Sequence, residues 1–267
     1  MKILVPTDFS DNANNALEFA KALAKRDAAK LTLFFAYYAV YDFAAQATEI
    51  IAAIEHDAEK ALKKASKEAI ANGLEVDYKL QYGSVATSVT SFAYQQDYNL
   101  IVMGTQGASG IKKAVMGSNT GHVIKDSMLP VLAIPSSASF EKIGKISLAL
   151  ELIHEEEQFF DKLFALTEKL DLPYEFFHVQ TTDTFERSGE FERVKKLLEV
   201  KFPQFPVTMQ TIKAKKLSEG IDVFLQANPD SLLVMFYKNK SFFEYLFNQS
   251  DSLEMAYHTH VPLLVVK

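Results

Sequence analysis

One order of segments occurs twice in this 267-residue chain, and nothing else in the sequence restricts the fold as much. The first half opens with a short apolar run, KILVP. DNANNALEFAKALAKR follows, with Ala13, Ala16, Leu17, Ala20 and Leu23 at helical spacing. Next come the strand KLTLFFAYY, a long helix ending at Gly73, and EVDYKLQYG with Val76, Tyr78, Leu80 and Tyr82 alternating. VATSVTSFAYQQ reads as a helix, NLIVMG as a buried strand, NTGHVIKDS as a helix and LPVLAIP as the closing strand. After the connector SSASFEK the order restarts. KISLALEL answers MKILVPTD, YEFFHVQ answers LTLFFAYY, FPVTMQTIKA answers LEVDYKLQYG, SLLVMFYKN answers NLIVMGTQG, and HVPLLVVK answers LPVLAIPS. Strands alternating with helices imply a parallel sheet covered on both faces. A repeat of this length implies duplication of a whole domain. The expected architecture is α/β, with two tandem doubly wound domains, 1–140 and 141–267, each holding a five-stranded, mostly parallel sheet.

Half of the ten glycines fall within GTQGASGIKKAVMGSNTG, residues 104–121. Glycine loses more entropy on folding than any other residue, so a cluster marks backbone that takes φ > 0 or approaches another group closely. Gly104 ends a predicted strand, Gly107 follows three residues later, and after nine more residues Gly117 and Ser118 precede a helix. In a doubly wound sheet this loop lies at the carboxyl edge, where ligands bind. Bare backbone at Gly104 and Gly107 would admit a phosphate chain. Gly117, Ser118, Asn119 and Thr120 would offer N–H groups and hydroxyls at a helix N-terminus, which favours anions. The stretch is neither a Walker A loop nor a dinucleotide fingerprint, since its first glycines run G-x-x-G-x-x-G. Taken alone, glycines beside a strand are more often a turn; the long spacing favours a phosphate loop.

That spacing resembles the universal stress proteins, whose ATP-binding members carry G-x2-G-x9-G-(S/T). ILVPTDFS, GSVATSVTSFA, LIVMG and PVLAIP are also similar to the family's recurring segments. The resemblance is strong over the first half and only a pattern in the second. It implies a Rossmann-like fold and a first domain that takes ATP or a related adenine nucleotide, with Mg2+ as an optional companion. Position by position, it implies Pro6, Thr7 and Asp8 at the adenosine, the Asp8 carboxylate accepting from ribose or adenine. Ala36 would pack on adenine, Met103 and Gly104 would lie beside ribose and phosphates, and Gly107, Gly117, Ser118, Asn119 and Thr120 would hold the phosphates. Without the glycine motif, Asp8 is as readily a turn residue and Ala36 a core residue.

The implied role is stress response, with nucleotide occupancy as a signal rather than rapid catalysis. No residue has a claim as general base, so the chain is read as a non-enzyme with slow ATP hydrolysis or phosphotransfer left open. A scaffold without a working nucleotide site is the alternative. Dimers of the family imply that LPVLAIP and VPLLVVK meet across a pseudo-twofold axis in an intramolecular pseudo-dimer, with a homodimer also open.

The second half departs from the motif. At an offset of 132 residues Gly104 corresponds to Phe236, Gly107 to Asn239, Gly117 to Gln249 and Ser118 to Ser250, while PTD becomes ALE with Glu151 opposite Asp8. The Phe236 ring is expected to fill the space that Gly104 leaves open, making the second domain a degenerate copy.

Composition narrows the remaining classes. There is no Cys, which removes disulfides and thiolate metal sites. The net charge is -6, and the basic pairs are isolated rather than forming a stripe, which disfavours nucleic acid as a partner. Residues 141–267 carry 15 Lys and Arg against 20 Asp and Glu, so the acidic excess lies where the glycine motif is missing. No secretory signal and no apolar run of membrane-spanning length is visible, so the expectation is a cytoplasmic protein without membrane attachment. His258 and His260 have a chelating spacing but no third ligand nearby in sequence. His122 falls one turn into the helix beside the proposed phosphates, HEEEQ lacks the second His of a zinc helix, and FFEYLF (242–247) reads as a buried helix or a partner-binding patch.

Overall fold

Each half of the chain builds five parallel strands in the same spatial order. The computed structural model describes residues 1–38, 44–105, 117–153, 157–181, 188–237 and 260–267. In the first half β1 (Lys2–Pro6) is flanked by β2 (Lys30–Tyr37) and β4 (Leu100–Gly104). β3 (Val76–Tyr82) lies outside β2, and β5 (Val131–Ile134) lies beside β4. In the second half β6 (Lys145–Leu150) is flanked by β7 (Tyr174–Thr181) and β9 (Ser231–Phe236). β8 (Val207–Ala214) lies outside β7, and β10 (Leu263–Val266) lies beside β9. The doubly wound, parallel α/β fold expected from the sequence is the one observed. Residues up to Ser136 belong to one compact unit, and Ser137 opens the other.

Every residue of β4, β5, β9 and β10 is buried, as expected of parallel strands covered on both faces. The edge strand β8 has no buried residue, with Thr208, Gln210, Thr211 and Lys213 exposed and the rest half-buried. Helix α1 (Asp11–Asp27) starts at Ser10, whose hydroxyl accepts from the Ala13 N–H at 3.2 Å. It buries Ala13, Ala16, Leu17, Ala20 and Leu23, the positions expected from the spacing. Helix α2 (Ala44–Ala71) ends where Gly73 turns to φ +81, and Leu74 N–H then reaches back to the Ala69 carbonyl. Helices α3 (Val85–Gln95) and α4 (Ser118–Asp126) complete the first half. The second half holds α5 (Glu157–Thr167), α6 (Ser188–Lys201) and α7 (Leu217–Ala227).

The duplication extends to the backbone path. Phe9 (φ +61) and Leu152 (φ +59) are both left-handed, one after Asp8 and the other after Glu151. Ala28 (φ +49), which caps α1, and Asp171 (φ +51), which caps the 3-10 turn Glu168–Leu170 after α5, form a second such pair. Among the described helices the lengths differ most at α2, which has 28 residues where α6 has 14.

Packing also differs. Where α1 lays small alanines on its sheet, α5 buries Phe159, Phe160, Leu163 and Phe164. Phe160 lies parallel to Phe176 at 6.0 Å, Phe164 stacks on Phe205 at 4.3 Å, and Phe177 stacks on Phe224 of α7 at 3.8 Å. Among the described residues no helix is long and apolar enough to cross a membrane.

Candidate functional site

A cavity of about 140 Å³ opens at the carboxyl edge of the first sheet, where β1, β2 and β4 hand the chain to their helices. Ten of the eleven residues singled out in the sequence line it: Pro6, Thr7 and Asp8; Ala36; Met103 and Gly104; Gly117, Ser118, Asn119 and Thr120. Gly107 lies outside the described residues.

The floor comes from the strand ends. Thr7 N–H donates to the Phe34 carbonyl at 2.9 Å, carrying the β1–β2 ladder one residue past Pro6. The next turn is held by its own side chains. Thr7 Oγ1 accepts from Phe9 N–H at 3.0 Å, and Asp8 Oδ1 accepts from Ser10 N–H at 3.0 Å. Asp8 is exposed and Thr7 buried, so a carboxylate stands at the mouth above a polar but covered floor. The ring of Phe9 stacks on Phe35 at 5.4 Å.

The apolar wall was not foreseen residue by residue. Ala13, Phe34, Phe35, Val85 and Val89 line the cavity with Ala36, and Phe34 is backed by Phe92 at 5.1 Å. Val85 and Val89 are four apart on α3 and so share a face, a signal present in the segment GSVATSVTSFA.

The fourth strand and fourth helix supply the polar rim. Gly117 N–H donates to the Thr105 carbonyl, which brings the two ends of the 106–116 stretch together. Gly117 is the N-cap of α4 and has no side chain to satisfy the first-turn N–H groups, while Ser118 and Asn119 are exposed there.

Two of these residues also make contacts that build the site. Thr120 is buried, and its hydroxyl donates to the Gly104 carbonyl at 2.7 Å, so it fastens α4 to β4 while lining the cavity. The missing side chain of Gly104 leaves room for α1: a Cβ there would stand 2.5 Å from Asn12 Oδ1 and 3.0 Å from the Asn12 carbonyl oxygen. Asn12 is itself buried and donates to the Ile134 carbonyl at 3.1 Å, across from Gly104 in the β4–β5 register.

The corresponding region of the second half is filled differently. The Phe236 ring stacks on Phe159 at 5.2 Å and meets Phe160 edge-on at 5.5 Å. It therefore extends toward α5, on the side on which Gly104 meets α1 in the first half. Counting from the β6–β7 register, Val179 takes the place of Ala36. Val179 is buried against Gly220 of α7, so closely that a Cβ on Gly220 would run into it. Asn239, Gln249, Ser250 and FFEYLF lie outside the described residues.

The described histidines do not join the site. His122 is exposed and does not line the cavity, His56 and His260 are exposed, and buried His178 places Nδ1 2.9 Å from the Leu150 carbonyl oxygen. His154 and His258 are outside the described residues. Among those described, no three His, Asp or Glu side chains are grouped to hold a metal ion.

Comparison with known proteins fits this picture. The model of the universal stress protein family matches residues 1–135. Universal stress protein MJ0531 of Methanocaldococcus jannaschii is 32% identical over 143 residues, half of this chain and 81% of that protein. Universal stress protein YxiE of Bacillus subtilis is 28% identical over 144 residues, 50% of this chain and 97% of its own length. A crystal structure of a universal stress protein from Archaeoglobus fulgidus covers 100% of this chain and 98% of that one, with a TM-score of 0.79 at 18% identity.

Proposed function

Because the chain belongs to the universal stress protein family, we propose that its first domain, residues 1–140, binds ATP or a related adenine nucleotide and that occupancy acts as a regulatory signal in the stress response. The observation that carries this reading is the cavity at the carboxyl edge, apolar on one side and rich in backbone N–H groups on the other. Doubly wound sheets bind ligands at this edge. Ala36, Phe34, Val85 and Val89 form a wall suited to a flat base, and Asp8 offers a carboxylate to hydroxyl or amino donors. The N-terminus of α4 suits phosphate through its dipole and first-turn N–H groups, with Gly117, Ser118 and Asn119 presenting them. Thr120 and Gly104 serve by holding α4 against β4, and Gly107 is assigned to the phosphates by its spacing alone. Mg2+ would arrive with the phosphates.

Residues 141–267 form, in this reading, a degenerate copy without a nucleotide, and the protein works in the cytoplasm as a regulator rather than an enzyme. The test is direct. Protein purified without added nucleotide is denatured, and the supernatant is examined for adenine absorbance and mass; stripped protein is then titrated with ATP and Mg2+ by calorimetry. Released adenine nucleotide, or saturable binding to the stripped protein, supports the proposal. No released nucleotide together with no heat of binding overturns it.

A further inference from the structure

Phe9 is a left-handed residue with a large side chain, a conformation that is uncommon outside glycine, asparagine and aspartate. Such a residue persists only where its surroundings over-determine it, and such positions cluster at ligand sites. Here three contacts hold it. Its N–H donates to Thr7 Oγ1 at 3.0 Å, its carbonyl accepts from Asn14 Nδ2 at 3.2 Å, and its ring stacks on Phe35 at 5.4 Å with 20° between the planes. Thr7 and Phe35 both line the cavity, and Phe9 does not. Phe9 is also the only residue between Asp8 and Ser10, the partners whose 3.0 Å hydrogen bond fixes the Asp8 carboxylate. A β-region φ at Phe9 would swing Ser10 N–H away from that carboxylate.

We infer that Phe9 is a positioning residue for the ligand: its left-handed turn, clamped by the Phe35 stack, fixes the Asp8 carboxylate at the cavity mouth. The same turn at Leu152 carries a buried side chain, so the kink itself is common to both halves. What the first half adds is an aromatic clamp joined to a cavity wall.

Phe9 has this role in nucleotide binding only if the cavity is the nucleotide site proposed above, so the test has one arm with ligand and one without. In the first, ATP affinity is measured for a double-mutant cycle of Asp8→Asn and Phe9→Val, a β-branched residue that resists φ > 0. Asp8→Asn should weaken binding about tenfold or more in the native background, the scale of one charge-assisted hydrogen bond. It should weaken binding less than about twofold once Phe9→Val is present. Equal losses in both backgrounds would overturn the inference. Should Phe9→Val fail to fold, Phe9→Ala, which removes the ring alone, enters the same cycle. The second arm follows the Ser10 amide by NMR through an acid titration of ligand-free protein. Its shift should track Asp8 ionisation in the native chain and in Phe9→Tyr, and lose that dependence in Phe9→Val or Phe9→Ala. An unchanged titration in the disrupted variants refutes the positioning role even if ATP proves not to be the ligand, whereas a failure of native protein to bind ATP beside a lost titration sinks only the nucleotide reading.

Discussion

The Thr120 hydroxyl donates to the carbonyl of Gly104, sixteen positions earlier, at 2.7 Å in a buried setting. It is the side-chain link from the first turn of α4 to the last residue of β4. Thr120→Val keeps the shape and removes the donor, leaving the Gly104 carbonyl short of a partner. Such a loss costs about 1–3 kcal/mol when buried. Urea unfolding should register that loss, Thr120→Ser should recover most of it, and ATP affinity should fall in Thr120→Val because the rim loses its anchor. An unfolding midpoint for Thr120→Val equal to that of the native chain would contradict this.

Gly104 should tolerate no side chain, for a reason lying behind the cavity. A Cβ would press on Asn12, whose backbone oxygen at 3.0 Å cannot rotate away. Gly104→Ala is expected to destabilise by about 1–3 kcal/mol, the usual cost of overpacking a close contact. Adding Asn12→Ala should relieve the side-chain part of the clash and leave the backbone part. Thermal unfolding of the single and double variants checks this; full rescue by Asn12→Ala, or no loss in Gly104→Ala, would show that the backbone oxygen is not the obstacle.

One nucleotide should bind per chain. The residue at the Ala36 position of the second half is Val179, larger and packed on Gly220 where α7 meets the sheet. A base would have to displace that contact as well as the stacked rings around Phe236. Titration calorimetry with ATP and Mg2+ should saturate at one equivalent; saturation at two would falsify the asymmetry.

Alkaline pH should destabilise the fold through two tyrosines. Burial raises both Tyr98 and Tyr174 above the ordinary value of 10.0, outweighing hydrogen bonds to Thr32 and Thr167 that act the other way. In the unfolded chain each ionises near 10, while in the folded chain each keeps its proton to higher pH. Stability from these groups is therefore complete below about pH 10 and declines as pH rises toward the folded values. Unfolding midpoints should fall once the pH passes about 10, and Tyr98→Phe should show a shallower fall. The variant is also expected to be about 1 kcal/mol less stable at neutral pH, because Thr32 loses the donor 2.8 Å away. Identical slopes with and without the Tyr98 hydroxyl would count against this.

The repeat made the fold legible, because strand and helix periods recur in the same order and a parallel sheet is the arrangement that covers such strands on both faces. The α1 face was readable for the same reason: Ala13, Ala16, Leu17, Ala20 and Leu23 obey one period, and all are buried. The cavity rim was legible from glycine spacing, but the reason for each glycine was not. Gly104 announces a close approach without saying from which side, and the neighbour is Asn12, more than ninety residues earlier. Phe236 was legible in the same partial way, since size says that a ring must fill the space that a glycine leaves open and only the position of α5 says what it packs on. The turn at Phe9 left no trace in residue type, because phenylalanine is not a residue that signals φ > 0.

The paired left-handed residues carry a record of descent. Phe9 and Leu152 share no chemistry beyond being apolar, Ala28 and Asp171 share less, and none of the four is the glycine that would hold such a conformation at ease. Independent drift does not readily settle twice on the same unfavourable angles, so the bends are older than the duplication and the side chains above them are younger. The acid at one bend, the cavity wall beside it and half a helix differ between the halves, while the route of the main chain is shared. For a diverged relative of this protein, a matched pair of left-handed bends would therefore be a more durable mark of kinship than any residue on its surface.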